Sequence, residues 1–319
     1  MPFAYTVCSL NHVPFSMALG RSILKHDPGS RFFIGLIDQV NGRVELPSVD
    51  GIEFITVERL SIDGFAQMCR RYTVFELACA CKPFFAKYIL DHFADIERLF
   101  YFDTDILTFG SLGDLEAKLE HTNLILTPHI TTPLAAEGRL FPNDENFTGA
   151  GIYNGGFFGI RRSEETYRFL EWWSERLKTK ASINFEKGYF VDQSWLALAP
   201  LFFEGVHIES GPQYNVAYWN LHERELTHRD AQYFVNGQPL VFFHFSGFRF
   251  DKPENVSVHQ NRVSFKSHPV LKGLFDEYRF AVIAERLSEF ASLDCAYAST
   301  KAERLITDIR GKIAKRLSK

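Results

Sequence analysis

The stretch Leu99-Phe100-Tyr101-Phe102-Asp103-Thr104-Asp105 constrains this 319-residue chain more than any other. A continuous apolar run of this kind fits a strand buried on both faces, as in a mostly parallel sheet covered by helices on each side. Two aspartates separated by one residue, leaving the end of such a strand, can point the same way and offer hard oxygen ligands to Mg²⁺ or Mn²⁺. A solvated turn rarely follows so apolar a strand.

The first hundred residues repeat the same grammar. Phe3–Cys8 is a short apolar run ending at Ser9-Leu10-Asn11-His12, and Phe15, Ala18, Leu19, Ser22 and Ile23 then recur at helical spacing. Arg31–Asp38 and Ile52–Val57 predict further strands closed by polar residues. Thr73 followed three residues later by Glu76 is a capping-box start, and Pro83 is expected to end that helix and open a second one through Asp91. Strands alternating with helices predict an α/β fold. Later strands are expected at Asn123–Thr127, Gly156–Ile160 and Leu240–Phe245, and helices at Glu164–Lys178 and Asp192–Ala199. The stretch Thr131–Gly151 is expected to be a long loop, a place to admit a second substrate.

Composition excludes several classes. With 46% hydrophobic and 23% charged residues the chain has enough apolar matter for a sizeable core, and the 32 Phe suit packed interiors and clefts lined by flat rings. A net charge of −4 argues against a nucleic-acid-binding surface spread over the whole protein and leaves room for local basic patches. Five scattered cysteines, Cys8, Cys69, Cys79, Cys81 and Cys295, fit buried free thiols in a reducing compartment. The segment MPFAYTVCSLNH has no basic region before an apolar run, and no stretch reaches a membrane span, so a cytoplasmic location is expected.

In open α/β sheets ligands bind beyond the carboxyl ends of the strands, and Ser9-Leu10-Asn11, Asp38, Asp103-Thr104-Asp105 and His244 all follow expected strands. They can converge on one rim. At this point YFDTDILTFGSL resembles the metal-binding segment of GT-A glycosyltransferases, most closely family 8 and its bacterial relatives. That family also carries an Asn-x-Gly sugar motif, an Asp-Gln pair and a late His-x-x-Gly followed by Lys-Pro. Here YNGGFFGI, FVDQSW and HFSGFRFDKP supply Asn154 and Gly156, Asp192 and Gln193, and His244, Gly247, Lys252 and Pro253 in the same order. Lys252 lies five residues after Gly247, with Arg249 between, which departs from the family's spacing.

The resemblance implies a GT-A type domain over residues 1–255, with a nucleotide-binding half (1–110) and a sugar and acceptor half (111–255), followed by a helical extension over 256–319. It implies metal-dependent transfer of a hexose from a UDP-sugar to a glycan, lipid-linked or protein acceptor, with retention, in bacterial surface glycan or glycoconjugate synthesis. Asp103, Asp105 and His244 would hold Mn²⁺ or Mg²⁺. Cys8, Ser9, Asn11 and Thr104 would lie along the nucleotide, with Cys8 as packing, and Lys82 and either Arg249 or Lys252 would meet phosphate. Asn154, Gly155, Gly156 and Gly247 would border the sugar and diphosphate, Asp192 would accept from sugar hydroxyls, and Gln193 would lie near the anomeric carbon. A nucleotidyltransferase that makes sugar nucleotides, or a non-enzymatic sugar-binding protein, are the alternatives; the former normally has a glycine-rich loop where this chain has Ser9-Leu10-Asn11-His12. Finally, residues 301–319 hold seven basic residues against Glu303 and Asp308, with Leu305, Ile309, Ile313 and Leu317 every four residues. That pattern fits a terminal helix on the domain, or an in-plane anchor on the inner face of a membrane.

Overall fold

The computed structural model describes residues 1–135 and 139–297. The segment 301–319, singled out above, lies outside the described residues.

Strand β1 (Phe3–Cys8) leads into helix α1 (Val13–His26), followed by β2 (Arg31–Leu36) and β3 (Ile52–Thr56). Helices α2 (Phe65–Arg71) and α3 (Val74–His92) precede β4 (Arg98–Phe102) and the short β5 (Ile106–Thr108). Then come α4 (Gly113–Lys118), β6 (Leu124–Pro128), α5 (Asp144–Ala150), β7 (Tyr153–Arg161), α6 (Glu164–Lys180) and α7 (Gln193–Leu196). Among the described residues the main sheet has seven strands, in the order Val206–Ile208, β6, β7, β4, β1, β2, β3. All its pairings are parallel except those of β7, which runs against β4 and β6. The expected α/β architecture, a mostly parallel sheet flanked by helices, is the one the chain adopts.

Alternation along the strands explains why the apolar runs are continuous. Tyr5, Phe33, Tyr101 and Phe158 face a core built with α3 and α6, where Trp173 is fully buried. Their neighbours Ala4, Phe32, Phe100 and Phe157 face the opposite core, built with α1. Both faces are therefore dry, and either one alone would have shown a polar alternate. A third cluster joins the strand Phe242–His244 to the helix Val270–Ala284, with the Phe245 and Tyr278 rings stacked 4.0 Å apart.

Three differences from expectation have physical causes. Helix α3 begins at the Thr73 capping box, with Glu76 accepting from the Thr73 backbone, but it does not break at Pro83 and runs unbroken to His92. Tertiary packing overrides the missing N–H: Leu77, Ala80, Cys81, Phe85 and Ile89 form a buried stripe on both sides of the proline. The stretch 131–151 contains α5, opened by an Asn143–Asn146 capping box, and is anchored where Glu223 accepts from the backbone of Thr131 and Thr132. The three residues of β5 are too few for a pattern, yet they pair with Phe242–His244 and place Ile106 opposite His244. Replacing Trp173 by Ala is expected to lower the unfolding free energy by about 3–5 kcal/mol, since it opens a cavity where α6 meets the sheet. Urea denaturation of the two proteins checks this, and a loss below about 1 kcal/mol contradicts the packing described.

Candidate metal and sugar site

The carboxyl edge of the parallel strands opens into a cleft of about 1560 Å³. Asp103 leaves the end of β4 with its N–H on the Gly156 carbonyl at 2.8 Å, so the first aspartate is fixed to the glycine-containing strand β7. Pairing of β5 with the His244 strand does the rest: Phe245 N–H donates to the Asp105 carbonyl at 2.7 Å, and His244 Nε2 comes to 3.0 Å from Asp105 Oδ1. One ligand atom from each of Asp103, Asp105 and His244 falls within 4.8 Å of the other two. Two hard carboxylates and an imidazole are a donor set suited to Mn²⁺ or Mg²⁺. Burial alone would lower the His244 pKa, but the Asp105 carboxylate outweighs it and holds the imidazole above its ordinary value. Likewise Asp105, which burial would raise, is held below its ordinary value by His244. A Cβ on Gly156 would lie 2.4 Å from His244 Cε1 and 3.0 Å from Asp103 Oδ2, so only glycine leaves the triad its space.

Behind the triad sits Lys82, buried although lysine is usually solvated. Its ammonium is 3.1 Å from Asp103 Oδ1 and 3.0 Å from Asp192 Oδ2, and it donates to the Gly155 carbonyl at 2.9 Å. Burial by itself would depress the Lys82 pKa; the two carboxylates reverse this and raise it. Asp192, by contrast, is pushed up by burial, against the pull of Lys82. Tyr101 completes the support, donating to Asp103 Oδ1 at 2.5 Å.

On the side of β7 and α7, Gln193 Oε1 accepts from Gly155 N–H at 2.7 Å and Asn154 Oδ1 from Gly156 N–H at 3.0 Å. Those backbone donors orient both amides. Asn154 Nδ2 must then be the donor toward His129 Nε2 at 3.1 Å, so that imidazole nitrogen carries no proton. Burial pushes the His129 pKa down to about 4, in agreement.

Of the residues singled out in the sequence, Cys8, Ser9, Asn11, Lys82, Asp103, Thr104, Asp105, Asn154, Gly155, Gly156, Asp192, Gln193, His244 and Gly247 all line this one cleft. Ser9 donates to Asn11 at 2.5 Å, and burial raises the Cys8 thiol to about 12, as for a packed residue. Gly247 has a φ of +70°, and a Cβ there would meet His259 at 2.4 Å. Lys252 is exposed and does not line the cleft; Arg249 does, its guanidinium paired with Asp251 at 2.7 Å. Asp38 is also off the cleft, buried and accepting from Leu10 N–H and Ala296 N–H. Asp192 makes no side-chain cap for α7, and Gln193 is buried, so neither has the capping or solvated role that its position allows.

Sequence reasoning missed His129, Asn215 and Trp219. Trp219 stands between two imidazoles, its ring 5.3 Å from His129 and 5.1 Å from His244, with its buried Nε1 unpartnered. His129 was within reach of the strand-end argument, since it directly follows β6; Asn215 and Trp219 sit in a stretch with no periodic signal.

No family model matches the chain. It is similar to two uncharacterized Bacillus subtilis (strain 168) proteins. YfnF is 26% identical over 253 residues, 78% of this chain and 82% of that protein, and YfnD is 22% identical over 246 residues, 76% of each. Among solved structures it is similar to the bifunctional glycosyltransferase WbbM, with a TM-score of 0.50 and 15% identity, over 88% of this chain and 49% of WbbM. It is also similar to the galactosyltransferase LgtC, with a TM-score of 0.49 and 16% identity, over 89% of this chain and 96% of LgtC. The likeness to WbbM, together with the mostly parallel seven-strand sheet, makes the fold the GT-A type that the ordered motifs imply.

Two outcomes follow from the geometry. Gly156→Ala is expected to weaken Mn²⁺ binding about tenfold or more, because the new methyl group occupies the space between the ligands. Calorimetric titration of the folded variant measures it, and unchanged affinity would show that the triad is not the metal site. His129, neutral when folded, takes up a proton only on unfolding between pH 6.5 and about 4, so the unfolded state binds more protons there and stability falls as pH falls. The expected loss is about 3 kcal/mol across that window. Urea titrations at pH 7 and 4.5 should show most of this loss in the wild type and little of it in His129→Gln.

Proposed function

We propose that the chain is an enzyme, a divalent-metal-dependent glycosyltransferase that moves a hexose from a UDP-sugar to an acceptor hydroxyl. The observation that carries this reading is the convergence of Asp103, Asp105 and His244 at the carboxyl edge of a GT-A type sheet, inside a cleft of about 1560 Å³. Mn²⁺ or Mg²⁺ bound there supplies charge to offset the negative charge that builds on the departing diphosphate. Membership of family 8 would fit the same set of motifs.

The chain's own residues set the rest. Ser9, Asn11 and Thr104 face the nucleotide from the first strand-to-helix loop and the aspartate turn, with Cys8 packed beneath. Gly155 and Gly156 let the backbone approach the hexose, with Asn154 and Gln193 held beside them by those glycines' N–H groups. Asp192 is the carboxylate on the hexose side. Its pairing with Lys82 suits it to accepting from sugar hydroxyls. Lys82 is surrounded by three oxygens within 3.1 Å, so it acts on the site by holding Asp103 and Asp192 in place. Arg249, at the cleft wall, is better placed than Lys252 to meet diphosphate after Gly247. Transfer proceeds with retention: the acceptor oxygen attacks the anomeric carbon on the face from which UDP leaves. The C–O bond to phosphate breaks as the new glycosidic bond forms, and the acceptor proton passes to the released phosphate oxygen.

On the acceptor side, Phe75, Phe141, Ile183 and Phe185 are large, exposed, apolar and part of the cleft lining. Ile183 N–H is held by Glu76 at 2.9 Å, which joins that rim to the first turn of α3. These side chains support a lipid-linked glycan over a free glycan or a protein, within bacterial surface glycan synthesis. No helix among the described residues is long and apolar enough to cross a membrane. The basic, amphipathic sequence of 301–319 supports a cytoplasmic enzyme resting on the inner face of the membrane.

A panel of UDP-hexoses assayed with Mn²⁺ and with excess chelator tests the reading. Chelation is expected to abolish turnover, and Asp105→Ala to reduce it about 10²–10³-fold with the fold intact. Full activity of Asp105→Ala, or of the wild type in chelator, removes the metal-dependent mechanism.

A further inference from the structure

Asn215 lies in the stretch between the strand Val206–Ile208 and Trp219, fully buried, with a left-handed φ of +49°. Its backbone neighbourhood is tied down by hydrogen bonds. Val216 bridges to Phe243 beside His244, His244 N–H donates to the Val216 carbonyl at 2.8 Å, and Asn220 Nδ2 donates to the Asn215 carbonyl at 3.0 Å. The side chain connects the two halves of the site. Oδ1 lies 3.3 Å from His244 Nδ1, while Nδ2 lies 3.0 Å from Asn154 Oδ1 and 2.8 Å from Thr127 Oγ1.

The identity of every atom in this chain of contacts follows from one backbone group. Gly156 N–H is a donor, so the Asn154 atom it meets is oxygen. An oxygen there requires a donor from Asn215, so Asn215 turns its Nδ2 toward Asn154 and its Oδ1 toward His244. Facing an acceptor, His244 must carry its proton on Nδ1. Nε2 is then the nitrogen that faces Asp105 Oδ1, 3.0 Å away, and its proton toward that carboxylate is the one a cation would displace to reach the lone pair.

We infer that Asn215 is a positioning residue that fixes His244 as an Nε2 metal donor, and that its own orientation is imposed through Asn154 by the Gly156 backbone. This rests on the metal-dependent reading above and goes beyond it, since Asn215 and Asn154 touch no metal. Partners of this kind on a ligating histidine commonly change metal affinity by about 10–100-fold when removed. The glycine strand thus acts on the metal half of the site through two buried amides.

The test is Mn²⁺ binding to the full chain, measured calorimetrically at pH 7.5 without nucleotide, with thermal unfolding in chelator as the structural control. Asn215→Ala should bind Mn²⁺ about tenfold or more weakly. Asn215→Asp keeps an acceptor for the Nδ1 proton and tolerates the left-handed backbone but sets an oxygen against Asn154 Oδ1, so it should weaken Mn²⁺ binding about threefold to tenfold, less than Asn215→Ala. Asn154→Ala removes the lock without touching His244 and should weaken Mn²⁺ binding by an intermediate factor, about threefold to tenfold. A merely structural role would lower the thermal transitions and leave the affinities together. Unchanged affinity in Asn215→Ala, or equal losses in the Ala and Asp variants, would overturn the inference while leaving the metal reading standing. If Asn215→Ala fails to fold, the Asp and Asn154 variants decide. A wild-type chain that binds no Mn²⁺ sinks the metal reading first and this inference with it.

Discussion

A single buried ammonium organises this molecule. Lys82 projects from the middle of α3 into the carboxyl edge of the sheet and holds together the end of β4 through Asp103, the start of α7 through Asp192, and β7 through the Gly155 carbonyl. Its own backbone is tied to β1, because the Tyr5 hydroxyl donates to the Lys82 carbonyl at 3.0 Å, and the ammonium lies 4.5 Å from the Tyr101 ring centroid. Burying three charged groups is costly unless each is paired, and removing one member of such a set costs about 3–5 kcal/mol because it strands the others. Here there are two carboxylates for one cation, so a unit of negative charge remains before Asp105 is counted. The cluster is therefore electrostatically incomplete by itself, and Asp103, the partly exposed member, is where that charge is open to a further cation.

The continuity of α3 through Pro83 belongs to the same constraint. A proline deletes one helical hydrogen bond and disfavours a helical residue before it, and that residue is Lys82. Were the helix broken there, the lysine would leave the axis that aims it at Asp103 and Asp192. Packing of Phe85 and Ile89 beyond the proline, and of Leu77 and Ala80 before it, outweighs the local preference. Local propensity alone predicts two helices here; the buried stripe decides for one.

The fold was legible wherever periodicity is long. Apolar runs in β1, β2 and β4 and the Thr73–Glu76 box are read directly because each rests on interactions within a few residues. Much of the site was legible too, since strand ends and the glycine pair mark Asp103, Asp105, Gly155 and Gly156 as places of close approach. What escaped was the layer behind the Asp103, Asp105 and His244 triad. Asn215 sits in an irregular loop where nothing repeats, and its contact with His244 exists only because Val216 bridges to Phe243, a pairing separated by many residues. Lys82 was visible as a candidate, but its burial was not, since a lone lysine before a proline looks solvated until two distant carboxylates are brought to it. Lys252 shows the converse: a matching Lys-Pro pair that the chain holds outside the cleft, with Arg249 on the wall instead.

The division of labour between backbone and side chains explains how so polar a cleft is kept in order. Gly155 and Gly156 contribute both carbonyls and both N–H groups: the carbonyls take Lys82 and Asp103 N–H, and the N–H groups orient Gln193 and Asn154. One dipeptide thereby positions the charged half with its acceptors and the neutral half with its donors. Such an arrangement needs residues without a Cβ, because the same two positions lie against Asp192, His244 and Asp103. Any side chain would have to displace the groups that the backbone is holding. Donors and dipoles fixed in this way before a substrate arrives need no reorganisation during charge transfer, which is the condition under which electrostatic stabilisation is strongest.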